Sequence, residues 1–344
     1  MKLLKQTTLA AAITSALALG MSGQASADIY AGSSLAIDNL QIAFLNANGV
    51  PAFGGVTLNQ YNFSTINTAS INGVLAGGSS SCGTSPSCGA SPVLDGPVAN
   101  APGSAFNRVN NQVSGADSTL TWFGFNTGSN WSNSDSVIYT SEITSQNANP
   151  TKTDQIAQSN INNAASATAS SEILSVTGMT FNFTITNPGP FAFSLAFDAD
   201  TDMIAGIVNS LGAAQATTAV SVSLSKDNAF GVGLQWAPSG TLADSNCFAG
   251  GGVVCNELAD SENLNLTIGV SSNNSTATNA SYGPNVPGLA PYQIFATGLT
   301  AGNWTLTLKS QTSTNLTRQV PEPGMLALLG IGLAGLGFAT RRRK

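Results

Sequence analysis

Histidine is absent from this chain of 344 residues, and charged residues are scarce. Without histidine, neither a Ser-His-Asp triad nor a histidine-ligated zinc site can form. Only 11 residues are lysine or arginine, too few for the basic stripe that binds nucleic acids. Charged residues make up 8% of the chain, whereas about a quarter is usual in soluble domains. We therefore expect no nucleic-acid partner and no histidine-dependent catalysis.

Neutral polar residues take the place of the missing charges. The chain contains 41 serines, 34 threonines and 33 asparagines. Its hydrophobic fraction of 42% is near normal, whereas disordered chains combine few apolar residues with a high net charge. We therefore expect a folded domain whose surface consists mainly of hydroxyl and amide groups.

The amino terminus has the pattern of an export signal. Lys2 and Lys5 supply positive charge, and residues 9–21 are mostly apolar. Ala25 and Ala27 place small residues at the two positions that a signal peptidase reads, so cleavage is expected after Ala27. Residues 1–27 are therefore predicted to be a signal peptide, in preference to a short buried helix.

A second apolar run lies close to the end of the chain. Residues 324–340 contain no charge, and as a helix they would extend about 25 Å, the short end of a membrane crossing. The four cations that follow are expected on the cytoplasmic side. We predict one transmembrane helix, with the body outside the inner membrane and a cytoplasmic anchor of Arg341, Arg342, Arg343 and Lys344.

A proline motif stands immediately before this run, at Val320, Pro321, Glu322 and Pro323. Two prolines around one residue hold the backbone extended and remove helix hydrogen-bond donors. An enzyme near the membrane would meet this motif as an extended strand. The order of motif, glycine-rich apolar run and basic tail over residues 320–344 resembles the PEP-CTERM sorting signal of Gram-negative bacteria.

This resemblance implies a processing route. An exosortase, an integral-membrane transpeptidase-like enzyme, would recognise Pro321, Glu322 and Pro323 and remove the tail. The protein would be anchored in the membrane transiently and then placed at the cell surface or in the extracellular matrix, with exopolysaccharide as an implied partner. Gly324 and Met325 replace the small polar residues that often follow the motif, a mild departure from the family pattern.

The body, residues 28–319, alternates between apolar and polar residues as half-buried strands do. We predict an all-β secreted domain, an antiparallel β-sandwich or jelly-roll-like fold, as one large or two small domains. We predict a hairpin or tight corner at residues 187–190. The polar range 126–168 is predicted to be a linker or insertion, and residues 154–172 within and beyond it a weak helix or a loop. The predicted strands are 119–125, 179–186, 191–197, 220–224, 264–270, 292–296 and 304–308.

Four cysteines occur in two close pairs. Export favours disulfides, and proximity favours Cys82–Cys88 and Cys247–Cys255, each closing a loop, although four cysteines allow three pairings. A metal site is the alternative. It is disfavoured because neither spacing has the usual two-residue gap and no histidine can contribute a ligand.

Asp198, Asp200 and Asp202 alternate just after a predicted strand. Three carboxylates this close repel one another unless a cation or hydrogen bonds compensate, and calcium prefers such oxygen ligands. An EF-hand is excluded because Met203 and Asn209 stand where that loop needs glycine and glutamate. The alternatives are a calcium loop of another kind and a solvated acidic turn, and no other cofactor is expected.

Tryptophan side chains are the candidate glycan contacts. Trp122 and Trp304 lie in predicted strands, where core packing is favoured, whereas Trp131 and Trp236 lie near segments rich in glycine, serine and proline. No carboxylate pair has a context that indicates glycosidase chemistry, so no catalytic residue is assigned. We expect a non-enzymatic surface or matrix protein. The alternatives are a carbohydrate-binding module, with or without calcium, and a secreted polysaccharide hydrolase.

Overall fold

Antiparallel strands form most of the molecule in a computed structural model that describes residues 28–46, 50, 53–83, 93–107, 129–139, 151–162, 166–186, 191–242, 246–273, 277–283 and 288–319. Within these ranges there is no α-helix, only a 3₁₀ turn at Phe53–Gly55, so the all-β prediction is confirmed. The strands are β1 (Asp28–Leu45), β2 (Val56–Ile71), β3 (Val74–Gly83), β4 (Val93–Asp95), β5 (Ala99–Asn100), β6 (Trp131–Tyr139), β7 (Thr151–Ile161), β8 (Ala167–Ile185), β9 (Phe191–Val208), β10 (Leu211–Lys226), β11 (Gly233–Trp236), β12 (Cys247–Gly250), β13 (Val254–Asp260), β14 (Leu266–Ser272), β15 (Thr278–Tyr282), β16 (Ala290–Leu299) and β17 (Gly302–Gln319).

Two sheets pack face to face. The first has nine strands in the order β13-β16-β9-β1-β7-β6-β4, with β15 beside β9 and β5 beside β6. The second has eight strands in the order β12-β11-β10-β17-β8-β2-β3, with β14 beside β10. The first strand, β1, and the last, β17, both lie in the middle of their sheets. The described residues therefore form two antiparallel sheets in a sandwich-like arrangement.

Two large apolar clusters fill most of the interior along the strands, and a small third cluster contains Val137 and Ile156. One cluster is aromatic and contains Phe181, Phe183, Phe193, Phe197 and Trp304. The other is rich in alanine and small aliphatic side chains and includes Ile29, Ala31, Ala205, Ala216 and Leu316. Because sheets pack closer where side chains are small, the two clusters give the sandwich a bulky half and a narrow half.

A band of inward-facing hydroxyl groups separates the two clusters, and we call it the hydroxyl seam. The Thr314 hydroxyl lies 2.9 Å from that of Ser159 and 2.7 Å from that of Ser171. Gln155 donates from Nε2 to Ser310 Oγ at 2.5 Å. Ser159 and Gln155 belong to β7 of the first sheet, whereas Thr314 and Ser310 belong to β17 of the second, so the two sheets are joined by buried hydrogen bonds as well as by apolar contacts. The contact between Thr314 and Ser171 lies within the second sheet.

The strand predictions are confirmed wherever the described residues cover them. Met179, Phe181, Phe183 and Ile185 of β8 are all buried on one face. Trp304, Leu306 and Leu308 of β17 are likewise buried, with half-buried threonines between them. The predicted strand 119–125 lies outside the described residues. Period-two alternation identified these strands because one face of each is in the core.

Two predictions made for the polar segments are wrong. Residues 154–172 are neither a weak helix nor a loop, since β7 and the first part of β8 occupy most of this range. The range 126–168 contains β6 and β7, which extend the first sheet beyond β1. These strands are polar because their inward side chains belong to the hydroxyl seam. The segment 187–190, predicted as a hairpin or tight corner, lies outside the described residues, and the flanking strands β8 and β9 belong to different sheets.

The two ends of the described chain lie at the same end of the sandwich. Asp28 begins β1, Arg318 stands near the end of β17, and their charges interact. Burial raises the pKa of Asp28, and the charge of Arg318 and a hydrogen bond from Asn162 act in the opposite direction. The narrow, alanine-rich half therefore carries both connections to the terminal segments, 1–27 and 320–344.

Candidate functional site

The three alternating aspartates lie within β9, not in a turn after it. Because β9 continues to Val208, Asp198, Asp200 and Asp202 project from the outer face of the first sheet. Asn39 of β1 donates from Nδ2 to Asp198 Oδ2 at 2.5 Å. The prediction of a loop at this position was wrong, because the aspartates occupy the outward positions of a longer strand.

Glu262 joins Asp200 and Asp202 to form an acidic cluster. Burial, and then the charge of Asp202, raises the pKa of Asp200 to about 6. Burial, followed by the Asp200 charge, raises the pKa of Glu262 to about 7, although the Thr201 backbone N–H donates to its carboxylate at 3.4 Å. Each carboxyl group makes ionisation of its neighbours less favourable, so the cluster binds protons more tightly than isolated carboxyl groups do.

The acidic cluster does not have the arrangement of a metal site. Among the residues that the structure describes, no group of three or more histidine, cysteine, aspartate or glutamate side chains is placed to hold a metal ion. The calcium prediction for Asp198, Asp200 and Asp202 therefore gains no support from their placement. Strand geometry separates alternate side chains along the sheet, whereas a calcium loop curves its ligands around the ion.

Neither tryptophan predicted to contact glycans is accessible. Trp131 in β6 is 0% exposed and Trp236 in β11 is 1% exposed. Trp236 packs against Phe197 in the aromatic cluster and donates from Nε1 to Glu257 Oε1 at 2.7 Å. Both glycan assignments are therefore wrong, because neighbouring glycine and serine do not prevent a ring from being buried. Trp304 is in the core as predicted, and Trp122 lies outside the described residues.

The predicted Cys247–Cys255 disulfide is present. It has a role that the sequence did not indicate, because Cys247 is in β12 of the second sheet and Cys255 in β13 of the first. These are edge strands, so the bond joins the two sheets along one side of the sandwich. Cys82 is also disulfide-bonded, and Cys88 lies outside the described residues.

An open groove lies on the outer face of the second sheet, where β10, β11 and β12 adjoin. We call it the phenylalanine groove; its volume is about 740 Å³. Phe230, in the turn between β10 and β11, is 107% exposed, and Phe248 of β12 is 64% exposed. Its remaining lining includes the polar side chains of Ser223, Ser225, Lys226 and Gln235.

The groove is suited to a ligand that is polar and also has apolar faces. Exposed rings offer stacking surfaces, and hydroxyl and amide groups offer hydrogen bonds. Lys226 is the one ionisable side chain in the lining; its Nζ donates to Thr300 Oγ1 at 2.7 Å and lies 6.0 Å from the centre of the Trp304 ring. Sequence reasoning missed both phenylalanines. The available signal was an aromatic residue close to glycine, since Phe230 precedes Gly231 directly and Phe248 stands two residues before Gly250.

The proposed terminal signals fall outside the described residues. These include Ala25, Ala27, Pro321, Glu322 and Pro323, together with the apolar run 324–340 and the basic tail 341–344. Across the ranges that the structure describes, no helix has the length and apolar character needed to cross a membrane. Among the described residues, β1 begins at Asp28 and β17 ends at Gln319.

The comparisons with known proteins concern mainly the carboxyl terminus. Residues 319–344 match the family model of the PEP-CTERM protein-sorting motif. No curated protein matches the chain. Two solved structures are each similar over 89% of this chain, and each has a TM-score of 0.10. One is the structure of infectious bursal disease virus Gt strain, with 10% sequence identity and 85% of that chain covered. The other is the structure of T=1 particles derived from infectious bursal virus, with 12% sequence identity and 84% of that chain covered. At that TM-score the likeness carries no argument about fold or function.

Proposed function

We propose that this chain, which carries a PEP-CTERM protein-sorting motif at residues 319–344, is exported, processed by an exosortase and delivered to the cell surface or the extracellular matrix. The motif is the observation that carries the proposal. Signal peptidase removes residues 1–27, and the apolar run 324–340 with the basic tail 341–344 anchors the precursor. The exosortase then recognises Pro321, Glu322 and Pro323. The role of the mature protein is structural or interactive and not enzymatic.

The fold supports this division of the chain. The sandwich occupies the interval between the two predicted signals, and each signal adjoins the first or the last residue of a strand. Outward positions such as Thr305 and Thr307 carry hydroxyl groups on the second sheet. A neutral surface of this kind exchanges hydrogen bonds with hydrated polysaccharide without strong charge repulsion. We therefore propose exopolysaccharide as the surrounding matrix.

The sorting proposal predicts that Glu322→Ala abolishes carboxyl-terminal trimming in the native cell. The substitution removes the carboxylate from the motif but leaves the apolar run and the basic tail intact, so the precursor should accumulate in the membrane. Mass spectrometry of the protein's carboxyl terminus and surface labelling measure the result. Ser281→Ala, an exposed position in β15, is the control and should be trimmed normally. Unchanged trimming and surface delivery of Glu322→Ala would show that no exosortase reads this motif.

The phenylalanine groove supports a second candidate function, carbohydrate binding. Phe230 and Phe248 are exposed, whereas 17 other large aromatic and aliphatic side chains of β8, β9, β10 and β17 are buried: Ile173, Met179, Phe181, Phe183, Ile185, Phe193, Leu195, Phe197, Met203, Ile207, Val220, Val222, Leu224, Trp304, Leu306, Leu308 and Leu316. Exposed rings beside hydroxyl and amide groups are the combination that stacks on the apolar face of a pyranose and bonds its hydroxyls. We place the glycan contact here instead of at the buried tryptophans.

Carbohydrate binding in the groove predicts that Phe230→Ala and Phe248→Ala each weaken binding by up to about tenfold, since losing one stacking ring costs up to about 1.4 kcal/mol. Glycan-array screening of the full chain, with and without calcium, identifies the sugar, and titration calorimetry gives the affinity. Leu258→Ala, an exposed residue of β13 outside the groove, should bind like the parent.

Equal losses in all three variants, or no saturable binding, would exclude the groove as a glycan site. Release of reducing ends would indicate a hydrolase instead.

A further inference from the structure

Strand β3 forms one edge of the second sheet. It pairs antiparallel with β2 over all ten of its residues, from Val74 opposite Ile71 to Gly83 opposite Asn62, without a register shift. In the part of the chain that the structure describes, β3 has no second partner strand. Its inner face lies against β4 and β5, where Gly78 approaches the Pro97 ring. The side chains of Leu75, Ser79 and Ser81 are exposed.

The backbone of β3 offers hydrogen bonds along this edge. β2 and β3 are joined by Asn72 and Gly73, both at positive φ, in a two-residue turn. Such a turn makes the flanking Ile71 and Val74 a hydrogen-bonded pair. Leu75, Gly77, Ser79 and Ser81 therefore direct their backbone N–H and C=O groups away from β2. These backbone groups are the template that another strand would need.

β3 also lacks the features that normally protect an exposed edge. Natural edges are guarded by charge, proline, bulges or short length, and the sequence VLAGGSSSCG has neither a charged residue nor proline. The opposite edges differ: β12 has four residues and β13 carries Glu257 and Asp260 and a bulge. β14 is also uncharged but has only seven residues, and it contacts β15 and β9 of the first sheet. Among the described edges, β3 is both the longest and uncharged.

We propose that β3 pairs antiparallel with β3 of a second copy of this chain about a two-fold axis. A strand that is uncharged and consists largely of glycine and serine can approach its own copy without like-charge repulsion or bulky side chains. Two-fold pairing closes the interface as a dimer and continues the second sheet from one molecule into the other. Because strand pairing alone buries little area, the dimer is weak and concentration-dependent.

The test is sedimentation velocity of the full chain in a mild detergent, over a range of protein concentrations. The parent should form dimers as concentration rises. Ser79→Lys puts two like charges into the interface of each dimer and should weaken dimerisation about tenfold. Leu75→Lys, near the turn, is a second variant with the same expected effect. Ser271→Lys, an exposed position on β14, is the matched control and should dimerise like the parent. Thermal unfolding establishes that each variant is folded.

Association through the apolar run 324–340 would contribute equally to every variant, so the comparison isolates the β3 edge. A parent that stays monomeric over the whole range would overturn the proposal. Equal dimerisation of the parent, Ser79→Lys and Leu75→Lys would also overturn it, as would a loss in Ser271→Lys as large as that in Ser79→Lys.

Discussion

Three carboxyl groups hold protons at unusually high pH. Burial is the main cause in each case and raises the pKa of Asp154 to about 7, of Asp200 to about 6 and of Glu262 to about 7. The ordinary values are about 4, and in the unfolded chain these groups ionise near them. Between pH 4 and pH 7 the folded state therefore binds more protons than the unfolded state. By linkage, the free energy of unfolding falls as the pH rises through this range.

This linkage predicts that the full chain unfolds at a lower temperature at pH 8 than at pH 5. Asp200→Asn and Glu262→Gln each remove one group with a raised pKa, so each variant should lose less stability between the two pH values. Differential scanning fluorimetry at a series of pH values provides the measurement. The exposed Asp227→Asn serves as the control. A melting temperature that rises from pH 5 to pH 8 would be inconsistent with the buried carboxyl groups described above.

Single aromatic residues show where local sequence misleads. Trp131 and Trp236 have glycine, serine and proline nearby, yet both rings are buried. Phe230 has similar neighbours and is fully exposed. Local polarity does not separate the buried rings from the exposed one, because Trp131 lies in the polar stretch 127–135 and is buried, whereas Phe230 adjoins Ala229 and is exposed. The difference arises from the partner sheet, which covers the inner face of β11 but not the turn before it, and a single chain segment contains no information about that partner.

At the scale of secondary-structure elements, alternation predicted strands only where their inward positions are apolar. β17 was recognised at Trp304, Leu306 and Leu308, but it continues through inward Ser310, Thr312 and Thr314. β6 and β7 were missed for the same reason. Hydroxyl groups are tolerated inside because groups on the facing sheet accept and donate their hydrogen bonds. Which hydroxyls meet is a property of the packed sheets and not of either strand.

The disulfide between β12 and β13 is the element-scale feature whose energetic contribution can be measured. Its two cysteines are separated by eight positions, and closing a loop of that size stabilises a fold by about 2–3 kcal/mol. The double variant Cys247→Ser, Cys255→Ser should lose about that much in free energy of unfolding. Urea unfolding followed by tryptophan fluorescence reports it, because Trp236 and Trp304 both lie in the adjoining aromatic cluster. A change well below 1 kcal/mol would mean that the sheets hold together along this side without the bond.

At the scale of the whole molecule, the sandwich brings together segments that are far apart in the chain. β1 and β17 are central strands of opposite sheets, and their outer ends, at Asp28 and Arg318, lie together. The last strand of the first sheet, β16, ends at Leu299, and the last strand of the second sheet, β17, ends at Gln319. Both proposed processing sites adjoin the narrow half, whereas the phenylalanine groove adjoins the turn at the opposite end of β10. The groove therefore points away from the end that would be tethered to the membrane.

The sequence by itself determined the class of the molecule and its sorting motif. The motif Pro321, Glu322 and Pro323 is contiguous, and the alternation of apolar and polar residues along a strand is local, so both can be recognised without a structure. Only the tertiary structure decided which rings are exposed, that Cys247 and Cys255 join two sheets, and that β3 is left at an edge. Each of these depends on which strands are neighbours, and pairing between strands far apart in the chain is set by the packing of the whole sandwich.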